Sequence, residues 1–301
     1  MLKPVLQSPG ATLRQMMAKD TVVMPGVFNA ISAVSAHKAG AEALYLSGAG
    51  ITNANLGVPD IALATLTEFA QQAAYVTQVA PVPIISDADT GFGASLSVAR
   101  TVIEMERSGL AGIHLEDQES PKRCGHLDGK SCISPQEMSA KIFAAVASKR
   151  DADFLIVART DARGVEGLEA AIERAKRYEA SGADAIFPEG LASEQEFEAF
   201  RSAISVPLLA NMTEFGKTPI IGASRFRELG YQMVIFPMTA FRVMLRALDE
   251  TYAEIVARGT QAEILDRMRT RAELYDRIDY AEYDSADRAW DSLARSPKLE
   301  G

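Results

Sequence analysis

Short apolar, β-prone runs recur along the chain, each closed by a Gly-, Asp- or Asn-bearing turn and followed by a segment with apolar residues three and four apart. The runs are Val22 to Val27, Ala43 to Ser47, Val82 to Ser86, Gly112 to Leu115, Phe154 to Ala158, Ala185 to Phe187, Val206 to Ala210 and Met233 to Phe236. Between them lie helical stretches such as Ser95 to Ser108 and Val165 to Ser181, the latter rich in Ala, Glu, Arg and Lys. Strands that are apolar throughout, rather than alternating, belong in a parallel sheet covered on both faces. Eight strand-to-helix repeats favour an α/β fold of the closed (β/α)8, TIM-type, over an open doubly wound sheet. The reading is a single domain spanning 1–301, with a barrel over about 20–245 and a helical extension over about 246–301. In that extension Phe241 to Gly259 and Gln261 to Tyr280 read as two long helices, followed by a charged tail. Leu274, Tyr275 and Ile278 stand at helical spacing there and read as core or interface residues.

A closed parallel barrel makes a demand about chemistry: reactive side chains belong at the C-terminal ends of the strands. Tyr45 and Ser47 stand at the end of the second run, Asp87 and Asp89 after the third, and Glu116 and Asp117 after the fourth. Arg159 and Asp161, then Glu189, then Asn211 and Glu214 follow the next three, and Arg242 lies just past the eighth. Any one of these reads equally well as a helix cap or a solvated loop charge. Their recurrence at successive strand ends points to one pocket.

Composition narrows the function. Hydrophobic residues make up 48% of the chain and charged residues 24%, an ordinary globular balance. A net charge of -9 argues against a nucleic-acid partner. No apolar run is long enough to cross a membrane, the first residues lack a signal-peptide core, and two cysteines make no disulfide framework. The expected location is the cytoplasm.

Within that acidic chain, the segment 120–130 is locally basic: Cys124 is flanked by Lys122, Arg123 and His126, with Gly125 and Gly129 giving the loop freedom to move. A thiol among cations favours its thiolate, whereas a structural cysteine sits among apolar neighbours. The two carboxylates of Asp87 and Asp89, two residues apart where a strand ends, suit Mg2+, with Mn2+ as the alternative, and Glu116 would stand in the outer shell. Asp and Gly are also common turn residues, so a pair of turn-forming aspartates is the weaker alternative reading. Zinc is disfavoured because Cys124 and His126 have no further paired ligands, and His114 reads as a packed strand residue. Lys122, Arg123, His126, Arg159 and Arg242, brought to one barrel mouth, would repel one another unless an anion joined them, which implies a small di- or tricarboxylate substrate.

The segments SGAG at 47–50, SDADTGFG at 86–93, HLEDQ at 114–118, KRCGH at 122–126, ARTDA at 158–162, FPEG at 187–190, ANMTEFG at 210–216, TAFR at 239–242 and RTRAELYD at 269–276 resemble the isocitrate lyase and phosphoenolpyruvate mutase superfamily. KRCGH marks its lyase branch, and the match runs in order over nearly the whole chain. The resemblance implies Mg2+-dependent retro-Claisen cleavage of 2-methylisocitrate into pyruvate and succinate, with isocitrate and 2,3-dimethylmalate as alternative substrates. It implies Cys124 as the acid that protonates the succinate carbanion, Lys122, Arg123 and His126 as holders of its charge, and Tyr45 as a base for the hydroxyl. The substrate contacts it implies fall on Ser47, Gly48, Ala49, Cys124, Gly125, Arg159, Glu189, Asn211, Met212, Thr213, Arg242 and Arg271. One departure is Ala49, where the family's usual residue is Gly. The resemblance also implies a homotetramer in which a C-terminal helix is exchanged between subunits. The reading from another class is a catalytically silent barrel that binds carboxylates, which would not need Cys124 and the aspartate pair together.

Overall fold

The structure is a computed structural model that describes residues 8–123, 125 and 129–295. The chain divides into two compact units, one ending at Arg242 and one beginning at Val243.

In the first unit the strands are β1 (Val22–Val27), β2 (Leu44–Leu46), β3 (Ile84–Asp87), β4 (Gly112–Glu116), β5 (Leu155–Thr160), β6 (Ala185–Pro188), β7 (Leu209–Asn211) and β8 (Met233–Phe236). The helices are α1 (Pro9–Lys19), α2 (Ala30–Lys38), α3 (Gly48–Ile51), α4 (Leu66–Val79), α5 (Ser95–Arg107), α6 (Pro135–Ser148), α7 (Leu168–Ala180), α8 (Glu194–Ala203) and α9 (Ala223–Glu228), with α10 (Thr239–Arg258) beginning at the unit's end. All strand pairs are parallel in the order β6-β5-β4-β3-β2-β1-β8-β7. A parallel bridge between Ile186 and Leu208 joins β6 to the approach of β7 and closes the barrel.

Both faces of the strands are apolar for separate reasons. Met24, Tyr45, Ile85, Leu155, Val157, Phe187, Leu209, Met233 and Ile235 fill the barrel interior. Leu44, Leu46, Ile84, Ile113, Leu115, Ile156 and Ile186 face outward and pack under the helices. Several strands run one or two residues beyond their apolar runs, so Asp87, Glu116, Arg159 and Asn211 lie inside the ladder rather than after it. The register then sets Asp87 beside His114, Glu116 beside Arg159, and Arg159 beside Phe187. Ladder hydrogen bonds therefore fix these polar residues more firmly than a loop would.

The periodicity reading passed over α1. Ser8 caps it, its Oγ accepting from Ala11 N at 3.1 Å, and Pro9 occupies the first turn, where its missing N–H costs nothing. Leu13 and Met17 of α1 pack into the barrel-interior cluster, away from the strand C-termini.

In the second unit, the expected long helix over 261–280 is broken. A 3-10 turn (Ala262–Arg267) gives way to extended Met268, and Thr270 caps a new helix, α11 (Arg271–Arg277), through a capping box with Glu273. Asp279, at φ 57, breaks the chain again before α12 (Tyr280–Ala294), which occupies much of what reads in sequence as a charged tail. Leu245, Leu248, Tyr252 and Val256 of α10, and Leu274 and Tyr275 of α11, are exposed.

Leu13 is fully buried, so Leu13→Ala is expected to lower the unfolding free energy by about 2–5 kcal/mol. Urea denaturation of the two proteins measures this, and a loss near zero would show that α1 adds nothing to the barrel-interior packing.

Candidate active site

The strand C-termini surround a cavity whose walls include Tyr45, Ser47, Ala49, Asp87, Arg123, Gly125, Arg159, Phe187, Glu189, Asn211 and Thr213. Most of the described site residues inferred from sequence are thus brought together. Met212 is buried but lies off the cavity wall, its sulfur accepting from Ile221 N at 3.4 Å. Arg242 also lies off the wall, its Nη1 ion-paired to Glu214 at 2.5 Å. Arg271 opens α11 in the second unit and is exposed. Cys124 and His126 fall outside the described residues.

The two buried cations inferred for the site, Lys122 and Arg159, each have protein carboxylates. Lys122 Nζ bonds to Asp60 at 2.6 Å and Asp89 at 3.0 Å. Arg159 faces Asp161 at 2.8 Å, Glu116 at 3.3 Å and Glu189 at 3.3 Å, with its guanidinium 5.1 Å over the Phe187 ring. The expectation that these cations repel one another until an anionic substrate arrives is therefore corrected, because internal carboxylates already neutralise them. Sequence proximity showed the cations but not Asp60, which lies in the loop ahead of α4.

Around Lys122 and Arg159 the carboxylates are unequal. Asp87 Oδ1 accepts from Asp89 N at 2.9 Å and lies 3.5 Å from His114 Nε2. Burial opposes its charge, but His114, Lys122 and Arg159 prevail and hold Asp87 below the usual carboxylate range. Asp89 is pushed up to about 7, by burial first and then by the Asp87 charge, against the pull of Lys122. Burial raises Glu116 well above its ordinary value despite Arg159. Glu116 Oε1 is buried without a hydrogen-bond partner, and Asp89 Oδ1 has only its ion pair to Lys122.

Buried carboxylates short of positive charge, with Glu116 Oε1 unbonded and Asp89 Oδ1 met only by Lys122, fit a divalent cation. Asp87 lines the cavity, and Asp89 meets Lys122, itself on the cavity wall, at 3.0 Å. Among the described residues no three His, Cys, Asp or Glu side chains converge as a ligand set. That is compatible with magnesium, which takes one or two carboxylates and keeps several waters.

Gly48 explains itself here. A Cβ at this position would stand 2.4 Å from Asp87 Oδ2, so only glycine lets the α3 turn pass that carboxylate. Ser47 caps α3, its Oγ accepting from Gly50 N at 3.1 Å. Ala49 is half-buried on the cavity wall.

Tyr45 Oη and His114 Nε2 are 2.8 Å apart with their rings stacked. Burial, with Asp87 next, raises the Tyr45 phenol well above its ordinary value, and burial lowers His114 to about 4. His114 is packed, as its strand position implied, but it also links Tyr45 to Asp87. Arg123 is exposed, and its backbone is held by Gln118 through N to Oε1 at 2.9 Å and O from Nε2 at 2.8 Å. Asn211 Nδ2 donates to Glu189 Oε2 at 3.1 Å.

Sequence reasoning named Asp161 only as a strand-end residue and gave Lys130 no role. Asp161 accepts from both Arg159 and Lys130, and both lie within or beside quoted motifs. The half-buried Cys132 thiol is pushed up by burial, then by Asp117 and Asp161, which disfavours its reactive thiolate.

A closed parallel barrel with buried charges gathered at its strand C-termini defines a (β/α)8 enzyme. The chain belongs to the phosphoenolpyruvate phosphomutase family, whose model matches residues 13–256. It is 55% identical over 283 residues to a 2-methylisocitrate lyase of Aeropyrum pernix, covering 94% of this chain and 91% of that one. A solved oxaloacetate acetylhydrolase, in complex with the inhibitor 3,3-difluorooxalacetate, aligns with a TM-score of 0.90 at 36% identity over 94% of this chain and 97% of that one. A solved 2,3-dimethylmalate lyase aligns with a TM-score of 0.90 at 32% identity over 99% of both chains.

Gly48→Ala is expected to displace the Asp87 carboxylate and cut kcat/KM by about 100-fold, the scale of a one-ångström misplacement. A Mg2+ titration of activity beside a thermal melt checks it: normal activity with normal metal demand would show that the contact is not needed.

Proposed function

We propose that the protein is a Mg2+-dependent carbon–carbon lyase that cleaves 2-methylisocitrate into pyruvate and succinate. The observation that carries the reading is the cavity itself, where Asp87, Tyr45, Arg159, Glu189, Asn211 and Gly125 of the cysteine loop meet on one barrel mouth. The 55% identity to a 2-methylisocitrate lyase supports the choice of substrate.

Asp87 and Asp89 are the proposed holders of the metal, with Glu116 in its outer shell. When bound, the cation supplies Lewis acidity at the 2-hydroxy acid end of the substrate. Arg159 offers its guanidinium to a substrate carboxylate, and Asn211 and Thr213 fix orientation with neutral hydrogen bonds. Tyr45 Oη is the candidate acceptor of the hydroxyl proton, and because burial keeps the phenol protonated it accepts by passing its own proton to His114 Nε2, 2.8 Å away. Breaking the carbon–carbon bond leaves its electron pair on the succinate carbon. Cys124, covalently next to Gly125 on the cavity wall, is the proposed acid that returns a proton there, with Lys122, Arg123 and His126 holding the charge. Arg242 and Arg271 are proposed contacts to the substrate carboxylates, and for Arg242 this requires exchange with Glu214.

A homotetramer with an exchanged helix belongs to the same proposal. In the first unit the outer face of β1 lies open, with Val23 43% exposed above a groove shared with α1 and α2. In the second, α10 carries exposed Leu245, Leu248, Tyr252 and Val256. Each exposes apolar side chains of the sort that subunit contacts cover. Among the described residues no helix is long and apolar enough to cross a membrane, and a cytoplasmic location is part of this reading.

Assays of 2-oxo acid release from 2-methylisocitrate, isocitrate and 2,3-dimethylmalate, with and without EDTA, test the function. The expected result is EDTA-sensitive turnover, restored by Mg2+, with 2-methylisocitrate preferred by about 10–200-fold over its one-methyl neighbour. Cys124→Ser is expected to lose about 100- to 10,000-fold in kcat while retaining succinate binding. Release from none of the three substrates would refute the enzyme reading in favour of a silent carboxylate-binding barrel. Light scattering on the eluting protein is expected to give four times the chain mass, and a monomer would rule out the helix exchange.

A further inference from the structure

Lys130 closes the loop that leaves the end of β4, yet its side chain runs inward and is only 3% exposed. Its Nζ donates to Asp161 Oδ1 at 2.8 Å and to the carbonyl oxygen of Gly125. Asp161 in turn accepts from Arg159 through two bonds, Nε to Oδ2 at 2.8 Å and Nη2 to Oδ1 at 3.1 Å. The Asp161 amide is itself pinned to Asp117 Oδ1 at 2.8 Å, and Asp117 Oδ2 accepts from Thr160 and Tyr178. One fully buried carboxylate thus joins a cation from the cysteine loop to the guanidinium on the cavity wall.

On the other side of Lys130, Gly125 is pressed against that same guanidinium. A Cβ at Gly125 would lie 2.5 Å from Arg159 Nη2 and 2.5 Å from Glu189 Cγ. The backbone there has room for hydrogen alone, so a small shift of Gly125 changes its relation to both charged groups. Burying an ammonium is costly unless its partners are fixed, whereas an alkyl side chain would fill the same space without that cost. What the ammonium adds is the connection between the Gly125 carbonyl and Asp161.

We propose that Lys130 is a positioning residue for the reaction: by tying the Gly125 carbonyl to Asp161, it holds Gly125, the residue covalently next to Cys124, at a fixed distance from Arg159. The role rests on the functional reading above, in which Cys124 delivers the proton, while the contacts themselves involve no substrate. Lys130→Met keeps the stem and removes the donors. The expected result is a kcat lowered by about 100-fold with KM held within about threefold, since binding groups remain while geometry at the proton donor is lost. Lys130→Arg, which can still donate to both oxygens, is expected to recover to within about tenfold of wild type. Alkylation of Cys124 by iodoacetamide, read on its own peptide apart from Cys132, is expected to change by about fivefold or more in Lys130→Met. Circular dichroism establishes that each variant is folded, and Lys130→Gln replaces Lys130→Met if that variant is not. A kcat within threefold of wild type, a loss confined to KM, or an unaltered Cys124 alkylation rate overturns the proposal. If wild-type protein turns over none of the three substrates, the functional reading fails, and the alkylation rate still decides whether Lys130 positions the loop.

Discussion

The Arg159 guanidinium is the group on which the barrel mouth is organised. It is nearly buried, and Asp161, Glu116 and Glu189 surround it within 3.3 Å. Three carboxylates offset the desolvation of that charge, and removing the guanidinium itself would leave them buried without their shared cation, at about 3–5 kcal/mol. Strand register delivers the partners. Glu116 is level with Arg159 on β4, Phe187 is level with it on β6, and Glu189 follows two residues on. Through Glu189 the ordering reaches Asn211, and through Asp161 it reaches Lys130 and Gly125.

The same neighbourhood is short of positive charge. Among the described residues, the carboxylates of Asp60, Asp87, Asp89, Glu116, Asp161 and Glu189 share Lys122, Lys130 and Arg159. Asp89 and Glu116 show the strain, both held toward their protonated forms by burial. A polyanionic substrate meets an electrostatically unfavourable site unless that balance changes, which is why the carboxylate excess argues for a cation more directly than the spacing of Asp87 and Asp89 does. Gly48 leaves the Asp87 oxygens unobstructed on the side of the α3 turn.

How far the sequence reached follows from the range of each interaction. The eight strands were legible because each is a short apolar run punctuated by turn residues, and the barrel follows from their number and alternation with helices. The clustering of Tyr45, Ser47, Asp87, Arg159, Glu189 and Asn211 was legible because parallel closure brings strand C-termini together. Pairings were not. Lys122 finds Asp60 from a loop 62 residues earlier, and Lys130 finds Asp161 31 residues later, and nothing local marks either partner. The break in the second C-terminal helix was available in Thr270 and Glu273, a capping box that the apolar spacing across Gln261 to Tyr280 obscured.

Pocket shape follows from the same charge network. Phe187 is fully buried, with Arg159 5.1 Å from its ring on one side and the His114 ring edge-on at 5.3 Å on another. His114 is in turn fixed by Tyr45, and Arg159 by three carboxylates. The aromatic wall therefore cannot swing aside without breaking buried polar contacts, and it sets the width of the cavity as rigidly as the backbone does. A rigid wall limits a substrate methyl group to about 1–3 kcal/mol of discrimination, because it gains only the burial of that group. Greater selectivity has to come from substrate carboxylates, where a missing partner would leave a buried charge unanswered. Under the proposed function, the number of carboxylates on the substrate is recognised more stringently than its methylation, with Arg159, on the cavity wall and already ordered by internal anions, as the proposed group that makes that distinction.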